Sequence, residues 1–196
     1  MLAIFKAFAA AGSLLTVVAQ VSPADTNAKC VPTSDICRPT GIQKGNSSYF
    51  IQSTGSPNSV WQAEEVTPTN FIAVDLVAKT NGTVNQLWSV WPVNGFNSFS
   101  FVSRGPTSNV CANGDGGPLD SNACTSVFTN STTAQSAQFF VTCQTCAADG
   151  TGAKGCQIQS ANEGQCASFL DQQNNVIKLD DCSNTAPHQF WDIVLA

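Results

Sequence analysis

The chain has 196 residues, which suits one domain with a full core. Charged residues make up only 11% of it, hydrophobic residues 42%, and the formal net charge is −5. That balance argues against nucleic acid or an anionic membrane as a partner, since either calls for a basic surface. It leaves Ser, Thr, Asn and Gln to cover the outside.

Residues 1–19 read as a secretory signal peptide. Lys6 supplies the positive charge, an apolar run from Ala7 to Ala19 follows, and Val17-x-Ala19 or Ser22-x-Ala24 fits a small-residue cleavage site. The run is too short to span a bilayer, and no other stretch is long and apolar enough to insert. Secretion agrees with three glycosylation acceptors, at Asn46, Asn81 and Asn130. It also agrees with nine cysteines, which in such a chain favour disulfides over metal ligands. Residues 20–40 form a polar arm with Pro23, Pro32 and Pro39, expected to hold little beyond one small loop closed by Cys30 and Cys37.

From Gly41 the pattern is one of short strands. Tyr49–Ile51, Ser59–Ala63 and Phe71–Val77 are predicted strands, with turns at Gly55-Ser56-Pro57-Asn58 and Asn81-Gly82. Phe99-Ser100-Phe101-Val102-Ser103 alternates as a half-buried strand does, and a Gly-rich turn follows at Gly114–Pro118. Residues 129–137 look like an insertion. Cys156–Ser160, Cys166–Leu170 and Val176–Leu179 supply further strands, and no stretch after the leader has a helical period. His188 is the only histidine, Glu64 and Glu65 point opposite ways in a strand, and no nucleophile elbow, zinc-protease or phosphate-loop motif occurs. No catalytic, metal or cofactor site is predicted.

One pattern recurs. Of fourteen Gln, only Gln86, Gln138 and Gln189 have an aromatic two positions on: Trp88, Phe140 and Trp191. The Gln spacings are 52 and 51 residues, so the chain reads as three copies of one unit, about 41–91, 92–143 and 144–194. Placed in a strand, each Gln shares a face with its aromatic, and a buried amide must be hydrogen-bonded. Each Gln is therefore expected to tie down a neighbouring loop backbone. Three units of four short strands, each too small to bury its own face, must close on one another.

These strands, with a cysteine pair upstream in two units, resemble the ricin-type lectin domain. The match is fullest from Gly164-Gln165-Cys166-Ala167-Ser168 through Val176–Cys182 to Gln189-Phe190-Trp191, and the resemblance covers roughly residues 41–196. It implies an all-β fold, a β-trefoil: a six-stranded barrel closed by three hairpins. It also implies a disulfide within a repeat, which Cys111 with Cys124 and Cys166 with Cys182 fit. Val60 and Ala78 stand at those places in the first repeat, so its bridge is absent. Of the remaining cysteines, Cys156 is expected to pair with either Cys143 or Cys146. The odd count leaves one free or intermolecular.

In that family a sugar site uses an Asp two residues after the first Cys, an aromatic two before the second, and an Asn before the Gln. The first repeat offers Gln62, Leu76 and Asn85, the second Asn113, Asn122 and Ala137, and the third Ser168, Asp180 and His188. No repeat has the full set, and the stacking aromatic is missing from all three. Trp61, Trp91 and Phe71 are alternative stacking surfaces, with core packing expected of the two Trp. The candidate ligand residues are Asn85, Asn113, Asn122, Ser168, Asp180 and His188. The expected function is secreted, non-catalytic carbohydrate binding to glycans or glycoproteins through sites diverged from the family pattern. The alternatives are a secreted interaction protein, such as a protease inhibitor or effector, and a degenerate trefoil with a structural role.

Overall fold

The computed structural model describes residues 37–39, 42, 47–63, 72–93, 97–105, 110–115, 117–123, 136–169 and 175–196. The predicted leader, Cys30, Asn46, Phe71, Cys124 and Asn130 lie outside the described residues.

Among the described residues, thirteen strands form one continuous hydrogen-bonded network. The first repeat contributes β1 (Tyr49–Ser53), β2 (Ser56–Ala63), β3 (Ile72–Ala78) and β4 (Trp88–Pro92). The second contributes β5 (Phe99–Ser103), β6 (Val110–Asn113), β7 (Asp120–Ala123) and β8 (Phe139–Thr142). A two-residue β9 (Thr145–Cys146) precedes the third repeat's β10 (Gly152–Ser160), β11 (Cys166–Ser168), β12 (Lys178–Asp180) and β13 (Trp191–Leu195). Alternation decides which way these strands face. Phe139 and Val141 in β8, and Trp191 and Ile193 in β13, are buried, while the residues between them are half-exposed.

The first and last strands of each repeat close a ring. β1 pairs with β4, β4 with β5, β5 with β8, β8 with β10, β10 with β13, and β13 returns to β1. Closure leaves this barrel no free edge. The middle strands form paired flaps, β2 with β3, β6 with β7 and β11 with β12. The chain is a β-trefoil.

Register fixes which residues are equivalent, and it corrects the sequence-based alignment of the second repeat. Trp88 pairs with Ser103, Phe139 with Ser160 and Trp191 with Ser53, each serine ending the next repeat's first strand. Trp88 also meets Tyr49, Phe139 meets Phe99 and Trp191 meets Cys156, each opening the barrel stretch of its own repeat. The third member of the set is therefore Phe139, not Phe140. Phe139 is fully buried and Phe140 is half-exposed. Ala137, not Gln138, stands where the other repeats have Gln. Two adjacent aromatics made the slipped alignment look periodic, since Trp88, Phe139 and Trp191 are spaced by 51 and 52 residues.

Gln86 and Gln189 do not lie in strands. Each ends a short 3-10 turn, Val84–Gln86 or Pro187–Gln189, just before β4 or β13. Their tethering role is as expected. Gln86 Oε1 accepts from Thr80 N at 2.8 Å and its Nε2 donates to Ala78 O at 3.0 Å. Gln189 Oε1 accepts from Ser183 N at 2.7 Å and its Nε2 donates to Asp181 O at 2.8 Å. The matching bonds align Ala78 with Asp181, so Lys79, not Ala78, is the counterpart of Cys182. Lys79 sets its ammonium 4.0 Å from the centre of the Phe50 ring, a cation–π contact where the third repeat has its bridge. Gln138 does something else: its Oε1 accepts one bond from the Ser98 hydroxyl at 3.1 Å. Gln189→Leu strands a backbone donor and a backbone acceptor and should cost about 1–3 kcal/mol in urea unfolding. Gln138→Leu should cost less, and the opposite order would overturn this assignment of equivalents.

Cys166 and Cys182 are bonded as the resemblance implied. Cys111 is disulfide-bonded, and Cys124, its implied partner, lies outside the described residues. Cys143 pairs with Cys156, resolving the open alternative. The expected Cys30–Cys37 loop is replaced by Cys37–Cys146. The backbone accounts for this: Cys37 N donates to Cys143 O at 2.9 Å and Cys143 N to Cys37 O at 2.8 Å, setting Cys37 beside β9. The arm is thus stitched to the third repeat.

Candidate functional site

The six candidate residues are not gathered in one place. Asn85 sits in the 3-10 turn before β4, and Asn113 and Asn122 are on the second flap. Ser168 is wholly buried in β11, and its hydroxyl has no hydrogen-bond partner. Asp180, on β12, is half-buried and accepts from Asp181 N at 2.9 Å. Of the proposed stacking surfaces, Trp61 is fully buried in the core and Trp91 is half-exposed.

His188, one of the six, lines a sizeable cleft of about 550 Å³. That volume lies within the roughly 300–1,000 Å³ typical of small-molecule pockets. One wall is the β1–β2 turn, with Ser53, Ser56 and Ser59 presenting hydroxyls; the floor is Leu76, Val77 and Ala78 of β3. The opposite wall comes from the third repeat: Phe169, Asn175, Pro187 and His188. Phe169 is only partly buried, so part of its ring remains accessible where it borders the cleft.

The walls are locked together by bonds between repeats. Thr54 N and its hydroxyl both donate to Phe190 O at 3.1 Å, and Leu76 N donates to Asn175 O at 2.6 Å. Phe169 N donates to His188 O at 3.0 Å. Ser56 and Ser59 share a hydroxyl–hydroxyl bond of 2.9 Å, and Gln52 Nε2 donates to Pro57 O at 2.6 Å. A ligand entering this cleft meets an ordered surface, which limits the entropy lost on binding. Asn175 itself has φ 54°, a left-handed conformation that Asn tolerates better than most residues.

Sequence reasoning missed Phe169 as a stacking surface. It stands next to Ser168, but its exposure depends on β3 and the β1–β2 turn, more than ninety residues upstream. No local pattern reports that.

A second polar place lies on the second flap, where Asn113 faces Asp120 across β6 and β7. Burial pushes the Asp120 carboxyl up, a hydrogen bond from the Asn113 amide opposes this, and the negative charge of Asp115 adds to it. One Asp120 oxygen is buried without a partner. A carboxyl raised on folding favours the folded state below its unfolded value, and that contribution is lost as pH rises through the folded value. Ionised Asp120 is then a net cost at neutral pH. Asp120→Asn should be more stable than the parent at pH 7, with the advantage shrinking as pH falls toward 3, read from thermal melts across that range.

No family model and no curated protein sequence matches the chain. Solved structures do, at the level of fold. A mosquitocidal holotoxin superposes with TM-score 0.60 and 12% identity, covering 79% of this chain and 18% of its own. The BEL β-trefoil gives 0.56 and 12%, covering 82% of this chain and 100% of its own. Polyporus squamosus lectin, bound to the epitope Neu5Aca2-6Galb1-4GlcNAc, gives 0.55 and 14%, covering 77% of this chain and 49% of its own. The chain thus spans about a fifth of the holotoxin and half of the lectin. No helix among the described residues is long and apolar enough to cross a membrane. No group of three or more His, Cys, Asp or Glu among them could hold a metal ion.

Proposed function

We propose that this chain is a secreted carbohydrate-binding protein that holds a glycan without transforming it. The observation that carries this is the cleft between the first and third repeats. It pairs the partly exposed Phe169 ring with the hydroxyls of Ser53, Ser56 and Ser59 and the imidazole of His188. A sugar needs both: an apolar ring face to cover its C–H side, and short polar side chains for its hydroxyls. Among the described residues no carboxylate lines the cleft beside His188, so they supply no acid–base pair of the kind glycoside hydrolysis uses. The bridges among the described residues suit an oxidising compartment, in keeping with the leader-like first residues. The fold is shared with a lectin, which adds analogy and no more.

A glycan array probed with the mature protein tests this directly. Binding to at least one glycan is expected, with signal falling at least tenfold for Phe169→Ala and measurably for His188→Ala. Phe169 is partly exposed, so its truncation should leave folding intact, which circular dichroism checks. An array at background for the folded parent protein would overturn the proposal.

A further inference from the structure

We infer that the chain offers one sugar site, not three, and that the site takes an uncharged sugar ring. This rests on the carbohydrate-binding proposal and specifies its valence and ligand class. Threefold equivalence lets the cleft be compared with the two other seams between repeats. Phe169 N donates to His188 O, as Gly114 N donates to Ser136 O at 2.6 Å. The register of the flaps agrees: Trp61, Ala112 and Ala167 are equivalent, so Phe169 matches Ala63 and Gly114. His188 matches Asn85 and Ser136. Among the described residues only the third repeat puts an aromatic at this place.

Among the described residues the two other seams are tighter at these positions. Where the cleft has Phe169 facing Ser53 and Leu76, the seam of the second and third repeats has Gly114 facing Ser160 and Leu179. There the gap has collapsed: a methyl added at Gly114 would lie 3.1 Å from Leu179 Cδ1 and from Ser160 Oγ. The Ser160 hydroxyl is already spent, donating to Gly114 O at 3.0 Å. At the seam of the first and second repeats, Gly105 is the counterpart of Gly55. A methyl at Gly105 would sit 3.5 Å from Asn85 Cβ, whereas at Gly55 it would meet only Ser53 Oγ, at 3.9 Å. His188 stands back from the turn where Asn85 abuts it. Among the described residues the open cleft therefore exists where the threefold pattern is broken, and a chain with that one site cannot cross-link glycans as a monomer.

Charge sets the ligand class. Among the described residues, no Lys, Arg, Asp or Glu lines the cleft. A carboxylated sugar would give up water for hydroxyls and one imidazole, a poor exchange for an ion, and the chain's net charge of −5 repels it further.

The test is a titration of the isotope-labelled mature protein by amide NMR, with stoichiometry from native mass spectrometry. The probes are glucose, galactose, mannose, N-acetylglucosamine and N-acetyllactosamine, against glucuronic acid, galacturonic acid and sialylated N-acetyllactosamine. A neutral probe should shift the amides of Ser59, Ala78, Phe169 and His188, saturate as one site, and bind at least tenfold more tightly than its acidic partner. Phe169→Ala should abolish the shifts. An acidic probe binding equally well at those amides would overturn the neutral class and leave sugar binding standing. Shifts on the β6/β7 or β11/β12 flap with two or three sugars per chain would overturn monovalency alone. No shift with any probe would overturn both this inference and the proposal beneath it.

Discussion

Trp61→Ala is expected to destabilise the chain by about 3–5 kcal/mol, a large share of the roughly 5–15 kcal/mol that holds a typical domain folded. Trp61 is fully buried, and its ring centroid lies 5.3 Å from Trp191, 5.6 Å from Phe101 and 6.1 Å from Trp88. It comes from a flap, not from the barrel wall, yet it touches barrel residues of all three repeats. Truncation leaves a void that strands on three sides border, and a closed barrel cannot collapse to fill it. The matching flap positions are Ala112 and Ala167, so one bulky side chain fills the centre where three cannot fit.

A milder substitution separates packing from hydrogen bonding. The Trp61 indole N–H has no partner, whereas Trp88 Nε1 donates to Trp61 O at 3.1 Å and Trp191 Nε1 to Ala167 O at 3.0 Å. Trp61→Phe removes an unsatisfied buried donor, which offsets part of the lost volume. Trp88→Phe removes a satisfied donor and orphans a buried carbonyl, a cost of about 1–3 kcal/mol beyond packing. Urea unfolding should therefore rank Trp88→Phe as the more damaging of the two. Equal losses would mean that ring volume alone matters at these sites.

The same residues show how far the sequence reaches. A threefold all-β architecture was legible because the barrel strands repeat at near-constant spacing, and the Gln86 and Gln189 amides sit where buried amides must find partners. The second repeat was misaligned by one residue, since Gln138-Phe139-Phe140 offers two aromatics and only strand pairing says which enters the core. A one-residue slip in a strand exchanges inside for outside, and Phe139 and Phe140 are that exchange. The cleft was not legible at all. Its walls come from Ser53–Ser59 and Phe169–His188, and a gap between distant segments leaves no local periodicity. His188 was picked as the residue standing where the family has Asn, and it lies on the cleft because its turn carries it there.

The partner of Cys37 was the other blind spot, and it leads to the second large effect. Replacing both Cys37 and Cys146 by Ser should cost more than replacing both Cys166 and Cys182. The first pair closes a span of 109 residues and the second a span of 16. In the chain-entropy model these correspond to about 4.7 and about 3 kcal/mol. Any crosslink inside the longer span shortens its effective loop, but the dependence is logarithmic, and halving the loop takes away only about 0.6 kcal/mol. Two backbone bonds between Cys37 and Cys143 remain after the longer bridge is lost, and they act in the folded state only. They do nothing to confine the unfolded chain, which is where a crosslink of this span has its effect. Melting temperatures of the two double variants, at matched pH and without reductant, should fall in that order. If the short bridge proves the costlier, Cys37–Cys146 acts as a local tether for the arm, and the barrel's stability resides in strand pairing and the Trp61 cluster.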